Sequence, residues 1–369
     1  SSAASDVYKR QESMSANLMG TFGSDKKLTP YLDSLYQQSL SFSHFYSSGI
    51  HTNHGIYSTL YSFPAIMKRN AMKGSVIPVY SGLPTVLQEN GYCNLFFMTH
   101  ESQYDNMNAF LRTNGFDEIY AQENYPSEKV VNSFGVQDDF MYQYALPILN
   151  ERAGTGNPFF SVLLSISNHP PYVIPPYFHP HSDVLEEQIV EYADWSIRQF
   201  MQAAEKQPWF DNTIFVFLGD HGKMVGTPEC EMPQSYNHIP LMIYGKDIKP
   251  GVYDGFGGQV DVSPTLLGLL NISYLQNNFG VNLLEEERPC MFFTADNLIG
   301  ARDSVNMFIY SPDSQQEFKY KLEEGKLHAA TGTDEEAFRN LKDYCFSMLQ
   351  STESLVKEHK TLDKVSVKK

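Results

Sequence analysis

The chain has 369 residues, 42% hydrophobic and 14% aromatic, which is enough to bury a large core in one α/β domain or in two domains. Its formal net charge of -16 argues against a nucleic-acid partner, because a phosphate backbone selects for a basic protein surface. The four cysteines have no CxxC spacing, which argues against zinc and redox motifs. This spacing favours isolated buried thiols, and the alternative is one disulfide if the protein is exported.

The first eleven residues, SSAASDVYKRQ, are polar and poor in β-formers at the point where an α/β fold needs an apolar first strand. We interpret residues 1–11 as a foreign or truncated leader and exclude them from the fold, and we expect the native chain to extend further upstream. No run of about 18 apolar residues occurs, so the sequence predicts no membrane-spanning helix in this chain.

Short apolar runs alternate with helix-like segments through the middle of the chain, which predicts a mainly parallel sheet with helices on both faces. The predicted strands are bounded by Gly, Pro, Asn or Asp and are Tyr92–Met98, Phe159–Ile166, Thr213–Leu218 and Ile239–Tyr244. The predicted helices are Leu28–Leu40, Ser81–Glu89, Asp138–Asn150, Val184–Gln207 and Ser263–Leu270.

After about Leu284 the pattern changes to that of a small antiparallel sheet followed by an amphipathic helix. The elements predicted there are strands at Pro289–Thr294 and Ser304–Tyr310, a turn at Lys319–Gly325 and a helix at Asp334–Lys357. We therefore divide the chain into a main α/β domain at 12–284, a smaller α+β subdomain at 285–357 and a frayed, lysine-rich tail at 358–369.

Asp220-His221-Gly222 follows an apolar strand, and open α/β sheets bind ligands in the crevice beyond the carboxyl ends of such strands. If the strand stops there and Gly222 lets the backbone turn, the carboxylate and the imidazole can both reach one metal ion. The alternative is that Asp220-His221-Gly222 is an ordinary loop without a metal ion.

Glu12 is a second candidate ligand, because it would end the first strand at the same crevice. The alternative is that Glu12 is an ordinary solvent-exposed glutamate.

Thr52 offers a hydroxyl between Gly49 and Gly55, where small residues allow a phosphoryl or sulfuryl group to approach the backbone. A neutral hydroxyl needs a nearby cation or base to become a nucleophile. Asn53 could donate a hydrogen bond to a developing oxyanion, and the helix that follows would direct its N-terminus at an anion. The alternative is that Thr52 only caps that helix.

The order and spacing of seven short motifs across residues 12–284 resemble the alkaline phosphatase and sulfatase superfamily, and within it the lipoteichoic-acid-synthase-like phosphoglycerol transferases. These motifs are Glu12-Ser13, IHTNHGIYSTL (50–60), SNHPPY (167–172), Tyr192-Ala193-Asp194, GDHG (219–222), HIPL (238–241) and QVDVSPTLL (259–267). The resemblance implies an alkaline phosphatase-like α/β catalytic domain.

The resemblance also implies one divalent cation, with Mn²⁺ preferred and Mg²⁺ or Zn²⁺ open. Its expected ligands are Glu12, Thr52, Asp220 and His221. His169 matches a family histidine near the leaving group, where it could protonate the departing alcohol; the alternative is a loop-packing role.

His100, Asn106 and His238 are also expected at the substrate, and Arg302 is a further candidate. His100 matches a substrate-side histidine, but Ser102–Asn108 departs from the lipoteichoic acid synthases, which carry a tryptophan and an arginine there. Asn106 could hydrogen-bond a polyol or only form a turn. His238 could neutralise the phosphoryl group or be structural, and Arg302 could clamp a phosphate or form a surface salt bridge.

The implied reaction is phosphoglycerol transfer through a covalent phosphothreonine at Thr52, from a phospholipid or a glycerophosphate-bearing glycan. We expect an extracytoplasmic catalytic domain at the cell membrane, anchored through a missing N-terminal region. The alternatives are a phosphodiesterase or phosphatase, a sulfatase-type hydrolase, or an inactive binding domain. A true sulfatase is disfavoured because the segment at 52–56 lacks the C/S-x-P-x-R signature.

Overall fold

The computed structural model describes residues 5–11, 14–331, 335–358 and 361, with side chains from Met14 onward. The strands of this part are β1 Ser5–Gln11, β2 Leu40–Tyr46, β3 Cys93–Met98, β4 Glu118–Tyr120, β5 Val130–Asn132, β6 Gly135–Val136, β7 Phe159–Leu164, β8 Thr213–Gly219, β9 Leu241–Tyr244, β10 Gly251–Gly258, β11 Met291–Thr294, β12 Ile299–Arg302, β13 Asn306–Ser311, β14 Gln316–Glu323 and β15 Lys326–Ala329. The α-helices are α1 Pro30–Gln38, α2 Thr52–Tyr61, α3 Leu83–Glu89, α4 Met107–Thr113, α5 Asp138–Ala153, α6 Leu185–Ala204, α7 Gln234–Asn237, α8 Val262–Leu269 and α9 Glu335–Lys357.

Eight strands form the central sheet in the order β10-β2-β9-β8-β1-β7-β3-β4. The five strands from β8 to β4 run parallel, β9 is antiparallel to both of its neighbours, and β10 is parallel to β2. The sheet is therefore mainly parallel, which confirms the predicted fold class. The four strands predicted from apolar runs are β3, β7, β8 and β9.

Helices cover both faces of this sheet. Phe96 and Met98 of β3 belong to a core cluster with α2, α3, α4 and α8, whereas Leu95 and Phe97 belong to a second cluster with α1, α5 and α6. Alternate side chains of one strand thus enter different layers, as the pleat requires. No helix of the described residues is long and apolar enough to cross a membrane.

The exclusion of residues 1–11 from the fold is wrong for Ser5–Gln11. These residues form β1, which lies between β7 and β8 with Val7 in register with Ser161 and Phe215. A strand with a parallel partner on each side has both edges of its backbone paired, so a polar sequence does not keep it out of the sheet. The foreign or truncated origin of this segment stays a prediction.

The C-terminal part forms the expected small antiparallel sheet, β11 to β15, with α9 packed against it. The predicted turn at Lys319–Gly325 is wrong, because β14 continues to Glu323 and the chain turns at Glu324 and Gly325, which have φ of 50° and 78°. Phe318, Tyr320 and Leu322 alternate along that strand with polar residues. All four cysteines are free thiols, but only Cys345 is buried; the other three are half-buried, so the prediction of buried thiols holds for one of them.

A buried ion pair stabilises the segment that precedes α8. Arg288 donates from Nε to Asp261 Oδ2 at 2.7 Å and from an Nη to Oδ1 at 2.6 Å, and Asp261 also accepts the backbone N–H groups of Gly258 and Val281. The Asp261 side chain is fully buried and that of Arg288 is 9% exposed. Removing one partner would leave an uncompensated buried charge.

We predict that Arg288→Met lowers the free energy of unfolding by about 3–5 kcal/mol in urea denaturation, since the Asp261 carboxylate stays buried without its cation. Lys246→Met is the control, because Lys246 pairs with Asp211 at the surface, with both side chains more than half exposed. Its expected loss is about 0–1 kcal/mol. Equal losses in the two variants would contradict the role assigned to the buried pair.

Candidate active site

Thr52 is the first residue of α2, and His51 at the preceding position has an extended backbone. The helix therefore begins at Thr52 with His51 as the N-cap residue, so the alternative that Thr52 only caps the helix is wrong. Thr52 is 9% exposed. The loop before it passes close to the helix, because a Cβ on Gly49 would lie 2.4 Å from His54 Nδ1, and only glycine fits there.

Asp220 and His221 directly follow β8, at the carboxyl edge of the sheet. The Asp220 side chain is fully buried and its Oδ1 accepts the His221 backbone N–H at 2.8 Å. His221 Nδ1 lies 2.7 Å from the Gly222 carbonyl oxygen, which can only accept, so Nδ1 carries a hydrogen; in the neutral imidazole the lone pair is then on Nε2. A Cβ on Gly222 would lie 1.9 Å from Ser235 O, so this turn requires glycine.

The side chain of Gln259 connects these two segments. Its Nε2 donates to the Asp220 carbonyl at 2.7 Å and to the Gly219 carbonyl at 3.2 Å, and its Oε1 accepts the Ser48 N–H at 3.1 Å. Gln259 is fully buried, and Thr294 of β11 donates its N–H to Ser48 O at 2.8 Å. One amide thus places the loop before Thr52 beside the strand end that carries Asp220.

Sequence reasoning did not identify Gln259 as a site residue. The available signal was its place at the start of the QVDVSPTLL motif, directly after a strand. A contact between three separate segments is not visible in a linear pattern.

The rings of Tyr104 and Phe134 lie between those of His100 and His169, and the sequence analysis identified neither aromatic residue. The ring centroids of His100 and Tyr104 are 4.7 Å apart, those of Tyr104 and Phe134 6.2 Å, and those of Phe134 and His169 4.1 Å. His100 Nδ1 contacts Glu101 O at 3.0 Å, and His169 Nδ1 contacts Pro170 O at 2.6 Å. Both imidazoles therefore have a fixed orientation.

The loop at 102–108 packs against α2. Asn53 Nδ2 donates to Asp105 Oδ2 at 3.3 Å, and Asn106 Nδ2 donates to Met72 O at 2.7 Å. Asp105 and Asn106 have φ of 52° and 63°, a left-handed conformation that Asp and Asn tolerate better than most residues. The two amides predicted to contact substrate thus hold the loop, and their contact with substrate stays a prediction.

Lys223 is a cation that the sequence analysis did not single out. Its Nζ donates to Asn168 Oδ1 at 2.8 Å and lies 5.8 Å from the centroid of the Tyr172 ring. Burial lowers the pKa of Lys223 to about 8. This contact joins the segment after Asp220, a predicted metal ligand, to the loop that carries His169, the predicted general acid.

The described residues hold two of the predicted metal ligands next to each other. His221 Nε2 and Asp220 Oδ2 are 3.5 Å apart. Two donors that each lie about 2.0–2.2 Å from one ion are separated by about 3.0–3.5 Å, so this pair fits a divalent cation. Within the described ranges no three His, Cys, Asp or Glu residues form a metal-binding group; Glu12 falls outside those ranges, and Thr52 offers a hydroxyl.

His238 and Arg302 line a separate cavity of about 480 Å³. His238 Nε2 contacts Ser43 O at 2.8 Å, its ring stacks on Tyr46, and burial lowers its pKa to about 4. Its predicted contact with substrate stays a prediction. Arg302 is only 3% exposed and forms no ion pair with the described carboxylates, so the surface salt bridge is wrong.

The family model described as Sulfatase matches residues 11–272. The lipoteichoic acid synthase-like protein YvgJ of Bacillus subtilis is 24% identical over 316 residues, which are 76% of this chain and 50% of that protein. The chain spans about half the length of the curated relatives it matches.

Two solved structures have the same fold. An alkaline phosphatase superfamily protein from Vibrio parahaemolyticus is 26% identical, with a TM-score of 0.89 over 99% of this chain and 90% of that one. The lipoteichoic acid synthase LtaP from Listeria monocytogenes is 22% identical, with a TM-score of 0.81 over 96% and 92%. These similarities confirm the alkaline phosphatase-like α/β fold and the predicted resemblance.

We predict that Gln259→Met lowers the free energy of unfolding by about 1–3 kcal/mol, because it leaves the Ser48 N–H and two carbonyl groups buried without partners. Hydrogen exchange should show the Ser48 amide losing protection. Gln88→Met is the control, since Gln88 makes one exposed bond to Asp117. Unchanged exchange at Ser48 would contradict the connecting role of Gln259.

Proposed function

The chain belongs to the sulfatase family, a family of transferases and hydrolases, and we propose that it is a metal-dependent phosphoglycerol transferase. One observation carries the proposal: Gln259 connects the strand end at Asp220 with the loop that leads into Thr52. A hydroxyl at a helix N-terminus, on a loop that is hydrogen-bonded to the strand end carrying an acid-histidine pair, suits attack on an anionic ester.

We assign one divalent cation to Asp220, His221, Thr52 and Glu12, with Mn²⁺ preferred and Mg²⁺ or Zn²⁺ open. The Asp220-His221 pair supports this assignment, and the hydrogen bond from His221 Nδ1 leaves Nε2 as the ligand atom. When bound, the cation supplies positive charge that activates a hydroxyl and stabilises developing negative charge. Glu12 as a ligand rests on the motif alone.

In the proposed first step, Thr52 reacts as its alkoxide, after its hydroxyl proton has been lost to solvent. Its Oγ1 forms a bond to phosphorus as the bond from phosphorus to the lipid alcohol oxygen breaks. The N–H groups in the first turn of α2 point toward the phosphoryl oxygens. His169 gives a proton to the departing alcohol, and its contacts with Phe134 and Pro170 hold the ring for that transfer.

In the second step an acceptor alcohol attacks the phosphothreonine, His169 takes the proton of that alcohol, and Thr52 Oγ1 leaves as the alkoxide with which the cycle began. Lys223 balances part of the negative charge of the transferred group. Lys223 lies beside the His169 loop through Asn168, where it can contact a phosphoryl oxygen.

The proposed donor is a phospholipid or a glycerophosphate-bearing glycan, contacted by His100, Asn53 and Asn106. A lipid-linked donor is found at a membrane surface, so an extracytoplasmic domain at the cell membrane belongs to the same proposal. The loop at 102–108, where this chain departs from the lipoteichoic acid synthases, would decide which headgroup fits.

The family match to Sulfatase favours a hydrolase as the second candidate. In a phosphodiesterase the same Thr52 intermediate would form and water would replace the acceptor alcohol. Sulfate-ester hydrolysis is less favoured, because the Thr52 segment has neither the proline nor the arginine of the C/S-x-P-x-R signature. The identity of the product therefore distinguishes the candidates.

We predict that Thr52→Ala lowers the turnover of a glycerophospholipid or a chromogenic phosphodiester by about 10³-fold or more, because no other group replaces the nucleophile. Thr52→Ser keeps a hydroxyl and is expected to retain part of the activity. The assay is run with added Mn²⁺, and the products are identified by mass spectrometry.

Wild-type turnover in Thr52→Ala would contradict the nucleophile. A wild-type protein that binds no divalent ion and turns over neither substrate would favour the inactive binding domain. Glycerophosphate transferred to an alcohol supports the transferase, and free glycerophosphate supports the hydrolase.

A further inference from the structure

The cavity of about 480 Å³ that His238 and Arg302 line lies between the main sheet and the C-terminal sheet. We call it the Arg302 cavity; its wall includes Arg302, Tyr46, His44, Gln234, Lys326 and His328. We propose that the Arg302 cavity binds the phosphate group of a phosphate monoester or diester, at a site distinct from Thr52. This inference does not rest on the phosphoryl transfer proposed above.

Arg302 is a buried cation whose charge the described residues leave uncompensated. Its guanidinium carbon lies 5.1 Å from the Tyr46 ring centroid and 5.6 Å from that of Phe256. One Nη donates to Gln234 Oε1 at 3.0 Å, and Nε donates to Asp303 O at 3.4 Å. A guanidinium has five N–H donors, so three remain for a ligand, and a buried charge without a counter-ion is costly.

The nearby acidic groups do not supply that counter-ion. Glu229 also lines the cavity, but its Oε1 accepts the Gln234 N–H at 2.8 Å. Asp303 Oδ1 accepts the backbone N–H groups of Val305 and Asn306, and Asp254 accepts the hydroxyl of Ser43. Each of these carboxylates accepts hydrogen bonds from its own neighbourhood, and none of them forms an ion pair with Arg302.

Further donors surround the same space. Lys326 and His328 come from β15 at the exposed side of the cavity, so positive charge reaches it from two different strands. Burial and the charge of Arg302 both lower the pKa values of His44 and His238. The two imidazoles are therefore neutral near pH 7, and an anion that compensates Arg302 would raise their pKa values.

The shape of the site favours a tetrahedral oxyanion. A guanidinium binds two phosphate oxygens at once, while Lys326 and His328 approach from another direction and can reach the others. The cavity is also larger than an isolated phosphate requires, which leaves space for a substituent such as glycerol. Tyr46 ends β2 two residues before Ser48, so the site adjoins the loop of Thr52 without sharing its hydroxyl.

The test measures phosphate binding to the whole chain, stripped of metal, by isothermal titration and by NMR of the histidine rings. Three probes are compared: inorganic phosphate, glycerol 3-phosphate and the diester glycerophosphoglycerol. We expect binding that moves the His44 and His238 resonances and raises their pKa values. Tighter binding of phosphate or of the monoester identifies a monoester site, and tighter binding of the diester identifies a diester site.

Two variants locate the site. Arg302→Met is expected to weaken binding about tenfold or more. Lys326→Glu is the second variant, because Lys326 is exposed and its replacement should not prevent folding. We expect Lys326→Glu to weaken phosphate binding as well, so the test stays decisive if Arg302→Met fails to fold. Lys249→Glu is the matched control, because Lys249 is exposed and lies outside the cavity. Failure of all three probes to move these resonances, or binding that Lys326→Glu leaves unchanged, overturns the proposal.

Discussion

The carboxamide of Gln259 is the interaction on which the site depends. Thr52 begins a helix and Asp220 follows a strand, and neither element determines the position of the other. Gln259 donates to the carbonyls of Gly219 and Asp220 and accepts the Ser48 N–H, and it follows β10 through Gly258, so it is held by the sheet itself. An amide suits this position because it offers both a donor and an acceptor. A carboxylate there would face two carbonyl oxygens, and an apolar side chain would leave all three backbone groups unsatisfied.

The C-terminal sheet contributes to the site as well as to the core. Thr294 bonds the carbonyl of Ser48, and Asp296 Oδ1 lies 2.5 Å from His51 Nε2, so the hairpin after β11 contacts the segment that leads into Thr52. The same sheet supplies Arg302. In a chain with a net charge of -16, Arg302 and Lys223 are two cations with little exposed surface. Arg302 lies behind the Thr52 loop, and Lys223 lies beside the loop of His169.

Half of the central sheet could be predicted from the sequence, because β3, β7, β8 and β9 are short continuous apolar runs. The four strands that were missed lack that signal: β1 is polar, β2 contains serine and histidine among its aromatic residues, β4 has only three residues and β10 is rich in glycine. The Asp220-His221 pair was predictable because a strand end fixes its edge of the sheet. Gln259, Tyr104, Phe134 and Lys223 were not, because their roles depend on contacts between distant segments. Glu12 lies outside the described residues, so its place among the ligands stays a prediction.

The proposed transfer requires that Thr52 becomes covalently bonded to phosphorus during turnover. The most direct measurement mixes the metal-loaded protein with the donor, quenches the reaction in acid within the first turnover and maps the peptides by mass spectrometry. We expect one glycerophosphoryl group on the peptide that contains Thr52, and loss of that group when an acceptor alcohol is added before the quench. Turnover without an adduct, or an adduct on a different residue, would rule out Thr52 as the nucleophile.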